Sequence, residues 1–128
     1  MAFVLDTNVA IDLRDGVEAV TDRVDALGGG LLLSIISRVE LEGGAARDPA
    51  QAALRRRRLE ALLMGSSVLP FDSESADAYR SIIEATGYSR RKILDRMIAA
   101  QAIVHRATLV TTNPQDFRDV PGLALLEW

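Results

Sequence analysis

Three short runs, Phe3–Leu5, Leu31–Leu33 and Leu109–Val110, are apolar at every position, and no other feature narrows the fold so far. A strand with one wet face alternates apolar and polar residues. A strand apolar throughout is covered on both faces, as in a parallel sheet packed between helices. The intervening segments supply those helices. Val17, Val20, Val24 and Leu27 recur at helical spacing and stop at Gly28-Gly29-Gly30, which reads as the end of a helix over Val17–Leu27. The triple glycine follows a helix and precedes a strand, the reverse of the order a phosphate-binding loop needs, so it is a turn. Similar patterns predict helices over Val9–Arg14, Ser34–Glu42, Pro49–Met64, Asp72–Thr86 and Ser89–Arg106, and further strands over Ser67–Phe71 and Leu123–Leu126. Gly43-Gly44 is expected to close the helix that starts at Ser34, and Ala76, Tyr79 and Ile83 to face the core from the helix that starts at Asp72. Strands alternating with helices describe an α/β fold, and 128 residues make a single domain, 1–128.

Parallel strands put all their carboxyl ends on one edge of the sheet, and the helices that run back begin at that same edge. Asp6 lies just past the first strand, and Asp116 a few residues past the strand at Leu109. Glu40 falls near the start of the helix after the second strand, and Asp95 near the start of the Ser89–Arg106 helix. Four carboxylates from four distant stretches thus converge, and such a cluster repels itself unless a divalent cation neutralises it. Each acid also has a structural reading. Asp6 can cap a helix, Asp116 can open a turn after Pro114, and Glu40 can close a capping box with Ser37. Their joint placement favours the site. Glu42, two residues beyond Glu40, points about 200° away around the helix. Asp95 shares a face with Ile98, Ala99 and Ala102, where an unpaired acid is costly, so it calls for a cation or a water-filled mouth. Oxygen donors alone suit Mg²⁺ or Mn²⁺ rather than thiolate-loving metals. Such ions assist in-line displacement at phosphorus, and phosphodiester hydrolysis is the reaction this residue set favours.

Composition removes the competitors. With no cysteine, thiolate zinc sites, disulfides and cysteine nucleophiles are excluded, and a reducing cytoplasm is compatible. The one histidine, His105, sits late in a helix beside Arg106, the place of a helix C-terminal cation or a surface residue. No apolar run approaches the roughly 20 residues that span a bilayer, and no basic segment precedes the first apolar run as in a signal peptide. A net charge of −3 excludes binding to nucleic acid by bulk positive charge. The charge is uneven, however: residues 1–30 hold six acids and two arginines, whereas Arg47–Glu60 and Arg90–Arg96 are net basic. Arg55-Arg56-Arg57-Arg58 covers most of a helix circumference, which brings Arg55 and Arg58 close to the stripe of Leu59, Leu62 and Leu63. These arginines are either a solvated face with snorkelling stems or an interface for an acidic partner or an RNA backbone.

Four motifs in order carry a resemblance: V-L-D-T-N at Val4–Asn8, S-x-x-E-L at Ser37–Leu41, D-x-x-I-A-A at Asp95–Ala100 and L-V-T-x-N-x-x-D-F at Leu109–Phe117. The chain resembles PIN-domain ribonucleases, and in size and order the VapC-type toxins of bacterial toxin–antitoxin pairs. The resemblance implies a PIN-like three-layer α/β/α sandwich around a mostly parallel sheet. It implies that Asp6, Glu40, Asp95 and Asp116 are catalytic, metal-binding acids, supported by Thr7, Asn8, Ser37, Thr112 and Asn113. It further implies an RNA substrate (tRNA or rRNA), a VapB-type antitoxin, a homodimer and a cytoplasmic location. Gly43 departs from the bulkier residue usual before the glycine of the second motif. Other readings are a PIN-like nuclease of RNA maturation without an antitoxin, a non-catalytic binding scaffold, and a receiver-like signalling domain. The last needs paired acids at the first strand and a lysine at the last, and Lys92 is in neither place.

Overall fold

The computed structural model describes residues 1–128. Its elements are β1 (Ala2–Leu5), α1 (Thr7–Arg14), α2 (Glu18–Ala26), β2 (Gly30–Ser34), α3 (Ile35–Arg47), α4 (Ala52–Met64), β3 (Ser67–Leu69), α5 (Ser73–Thr86), α6 (Ile93–Val104), β4 (Thr108–Thr111) and β5 (Ala124–Glu127). The five strands lie in the order β3-β2-β1-β4-β5, and every neighbouring pair is parallel. The apolar runs are the three central strands, as their composition requires. Alternate residues of each strand feed opposite layers. Val4 and Leu109 join Leu69, Ile82, Ile98, Ala99, Ala102 and Phe117 on the α5–α6 side. Phe3, Leu5 and Val110 join Val9, Val20, Leu33, Leu41, Leu59 and Leu62 on the α1–α4 side. The result is the expected α/β/α sandwich. From β1 the chain moves outward to β2 and β3, then crosses to β4 on the other side of β1. The order therefore reverses between β1 and β4, and ligands of open α/β sheets bind outside the strand carboxyl ends at such a switch point.

Several boundaries differ from expectation for local reasons. Helix α3 does not stop at Gly43-Gly44 but runs through both to Arg47. Each glycine costs a helix interior about 1 kcal/mol relative to alanine, so packing of Leu41 and Ala45 holds the helix against its own propensity. Helix α4 begins at Ala52 rather than Pro49, because Asp48 caps a turn by accepting from the Ala50 N–H at 3.1 Å. Strand β3 ends at Leu69, since Pro70 has no N–H to continue a ladder. The Gln101 side chain instead donates to the Leu69 and Pro70 carbonyls, both at 3.1 Å. In α5 the buried anchors are Ser75 and Ile82, with Ala78 and Tyr79 against the core. Ile83 is only partly buried and Ala76 is exposed, so the packing face is rotated by about one residue. The expected helix from Ser89 is a short 3₁₀ turn over Arg90–Lys92 followed by α6. Arg55 and Arg58 do lie against neighbouring elements. Arg55 donates to the Gly44 carbonyl at 3.1 Å and Arg58 to the Asp15 carbonyl at 3.3 Å, tying α4 to α3 and to the end of α1.

Candidate active site

Asp6 is the residue at which β1 becomes α1. Its backbone N–H donates to the Val110 carbonyl at 2.9 Å, continuing the β1–β4 ladder one step beyond the strand. One carboxylate oxygen accepts from the Thr7 N–H at 2.8 Å and the other from the Thr111 hydroxyl at 2.8 Å. Asp6 is thus the N-cap of α1, as one structural reading held. It is also a 5% exposed acid with no cationic partner. Burial pushes its carboxyl above the ordinary value, the two hydrogen bonds oppose that rise, and the Asp116 carboxylate adds to it.

Glu40 is held by a relay of hydroxyls. Thr7 Oγ1 donates to Glu40 Oε1 at 2.9 Å and lies 2.8 Å from Ser37 Oγ. Since a carboxylate can only accept, Thr7 spends its one proton on Glu40, and Ser37 donates to Thr7. The capping-box reading of Ser37 and Glu40 is not realised. The cap of α3 is Ser34, whose hydroxyl accepts from the Ile36 N–H at 3.0 Å and donates to the Gln101 side chain. Ser37 and Glu40 lie one turn further into the helix, where both point toward α1.

Asp95 stands in the first turn of α6, half-buried, and is pushed up to about 6. Burial is the largest cause, followed by the carboxylates of Asp6, Asp116 and Glu40, against a small lowering by Arg96. Asp6, Asp116 and Glu40 thus each lie near enough to Asp95 to disfavour its charge. Asp116 ends a 3₁₀ turn over Pro114–Asp116, with its N–H donating to the Asn113 carbonyl at 3.1 Å. This turn is anchored from behind. Arg96, 3% exposed, makes a bidentate pair with Asp119 at 2.8 and 2.9 Å, clamping the segment after Asp116 onto α6 beside Asp95.

The supporting residues divide. Thr7 and Ser37 make the relay, and Asn8 is exposed on α1 beside it. Asn113 takes part through its backbone N–H, which donates to Thr111 Oγ1 at 2.9 Å. Thr112 is exposed and makes no hydrogen bond through its side chain. The threonine that grips Asp6 is Thr111, which stands in the fourth motif but is not among the expected supporting residues. Its signal is the β1–β4 register, which pairs Leu5 with Val110 and so sets Thr111 level with Asp6; strand register is not written in either strand alone.

None of the four acids belongs to an ion pair, although the chain forms six elsewhere. A set of unpaired oxygen donors that raise one another's proton affinity fits a hard divalent cation. No three of the acids lie close enough to form a ready coordination shell.

A PIN domain profile matches residues 3–123. The chain is 27% identical, over its full length and 98% of the relative, to the tRNA(fMet)-specific endonuclease VapC of Shigella flexneri. It is 24% identical, over the same shares, to the ribonuclease VapC2 of Rickettsia felis. Among solved structures it superposes on the DNA-bound VapBC complex of Salmonella typhimurium with a TM-score of 0.86, at 25% identity, covering 100% of this chain and 98% of that one.

Proposed function

The chain belongs to the PIN domain family, and on that footing we propose that it is a divalent-cation-dependent endoribonuclease, the toxin of a toxin–antitoxin pair. The observation that carries the chemistry is the convergence of four carboxylates without ion-pair partners on the β1–β4 switch point, where burial and the other three lift Asp95 to about 6. Asp6 and Asp95 hold the cation, Mg²⁺ or Mn²⁺, with Glu40 and Asp116 flanking them. A cation bound there supplies Lewis acidity toward a phosphate oxygen and lowers the pKa of an attacking water. The chain's own residues supply position. Thr111 and the Thr7 N–H fix Asp6, the Ser37–Thr7 relay aims Glu40, and the Arg96–Asp119 clamp holds the Asp116 turn against α6. The Shigella relative is named a tRNA(fMet)-specific endonuclease, the Salmonella structure is a DNA-bound VapBC, and a VapBC from Mycobacterium tuberculosis is a member of a family of toxin–antitoxin systems. By likeness to them, the substrate is a structured RNA such as tRNA or rRNA, and the partner is a VapB-type antitoxin. A cytoplasmic homodimer completes the reading, and no helix is long and apolar enough to cross a membrane. The test is cleavage of total RNA by the purified chain. EDTA abolishes cleavage and added Mg²⁺ or Mn²⁺ restores it; undiminished cutting in EDTA refutes the cation's role.

A further inference from the structure

A second feature adjoins the site at Glu40. Between α1 and α3 runs a groove of 610 Å³ whose lining includes Thr7, Asn8, Glu40, Gly43, Arg47 and Arg55. Along α3 the residues Ser37, Glu40, Gly44 and Arg47 follow one another at helical spacing, so a single face leads from the acid mouth to the helix end, about 10 Å from Glu40 to Arg47. The floor of this path is the glycine pair that fails to end the helix. At Gly44 a side chain would meet the guanidinium of Arg14, with Nη1 3.4 Å from the would-be Cβ. At Gly43 nothing lies within 4 Å, so no packing demands glycine there, and its effect is to keep the groove open. The groove's charges are partly spent. Arg14 is paired with Asp15 at 2.9 Å, and Glu40 accepts from Thr7. Arg47 and Arg55 have no carboxylate partner, and Arg55 is steadied by the Gly44 carbonyl at 3.1 Å. Two arginines without carboxylate partners, beyond the stretch that Gly43 and Gly44 leave free of side chains and in a chain of net charge −3, suit an anion held locally rather than by a general basic surface.

We propose that this groove carries the phosphodiester backbone of the RNA strand next to the bond being cut, with Arg47 and Arg55 taking its phosphates over the open floor at Gly43. The proposal rests on the nuclease reading for its ligand but not for its test. Fluorescence anisotropy of a labelled single-stranded RNA oligonucleotide reads the groove without turnover. Hydrolysis of bis(p-nitrophenyl) phosphate, too small to extend from the acids to Arg47, reads the acid site without the groove. Arg47→Gln is expected to raise the Kd for the oligonucleotide about tenfold. It also reduces the slope of log K against log salt by about 0.7, the loss of one phosphate contact to a single strand. Gly43→Leu is expected to raise the same Kd with a melting temperature at or above that of the wild type, because leucine favours the helix and its Cβ meets no atom within 4 Å. Arg80→Gln, on an exposed part of α5, controls for net charge and should bind as the wild type does. Wild-type affinity and salt slope in both Arg47→Gln and Gly43→Leu overturn the proposal. So does a loss confined to binding of a polyglutamate peptide, which would make the occupant an acidic protein segment. A wild-type chain inert toward both RNA and the small diester would instead undo the nuclease reading, while anisotropy would still decide the groove.

Discussion

At the residue scale, Asp95 has a measurable signature apart from catalysis. Its folded-state pKa of about 6 lies above the ordinary 3.8, so between those values the native chain binds a proton that the unfolded chain has released. Stability of the metal-free protein therefore falls as pH rises through that window. The Asp95→Asn variant should lose this part of the slope, keeping only what Asp6, also raised by burial, contributes, and match or exceed the wild type in melting temperature at neutral pH, while RNA cleavage falls by several orders of magnitude. Asp72, Asp119 and Glu127 have lowered pKa values. They act in the opposite sense, losing their contribution as pH falls, Asp72 and Asp119 below the window and Glu127 from 4.5, near the window's foot, downward. The difference between wild-type and Asp95→Asn melting curves across pH isolates the one group; parallel curves would contradict its placement among the other acids. Thr111 tests the site from the other side. Thr111→Val keeps the shape but strips a buried hydrogen bond from Asp6, and should cost about 1–3 kcal/mol in urea unfolding. Asp6→Asn retains the cap and the fold, because asparagine also accepts from the Thr7 N–H, yet should abolish cleavage.

At the scale of elements, the pair that matters is α6 and the turn carrying Asp116. They are joined by Arg96 and Asp119, the former almost wholly buried and with its Nε lacking any partner. Removing Asp119 leaves a buried guanidinium uncompensated, so Asp119→Ala should destabilise by about 2 kcal/mol. It should also reduce cleavage, because Asp116 then rides on a freed turn. Arg96→Met, which removes the charge together with its need for a partner, should be the less destabilising of the two while impairing cleavage similarly. Equal activity in wild type and both variants would show that the clamp does not position Asp116.

At the scale of the molecule, cation binding and folding are linked. A cation that binds the assembled acids and not the unfolded chain stabilises by about 2.7 kcal/mol at a hundredfold excess over its Kd. Thermal unfolding with and without Mn²⁺ should show this shift in the wild type and not in Asp95→Asn. A shift of equal size in both would place the cation elsewhere. Much of this whole was legible in the linear sequence. Phe3–Leu5, Leu31–Leu33 and Leu109–Val110 announced buried parallel strands, because only a strand covered on both faces can be apolar at every position. A parallel sheet then places Asp6, Glu40, Asp95 and Asp116 at one edge by topology alone. Gly43-Gly44 misled, because α3 is carried past them by burial, and that of Leu41 is made with residues from distant elements such as Leu5, Val9 and Leu59. Thr111, the Arg96–Asp119 clamp and the open groove over Gly43 were likewise decided only in three dimensions. Each depends on the register, rotation or separation of elements far apart in the chain, and local propensity and periodicity carry no record of those quantities.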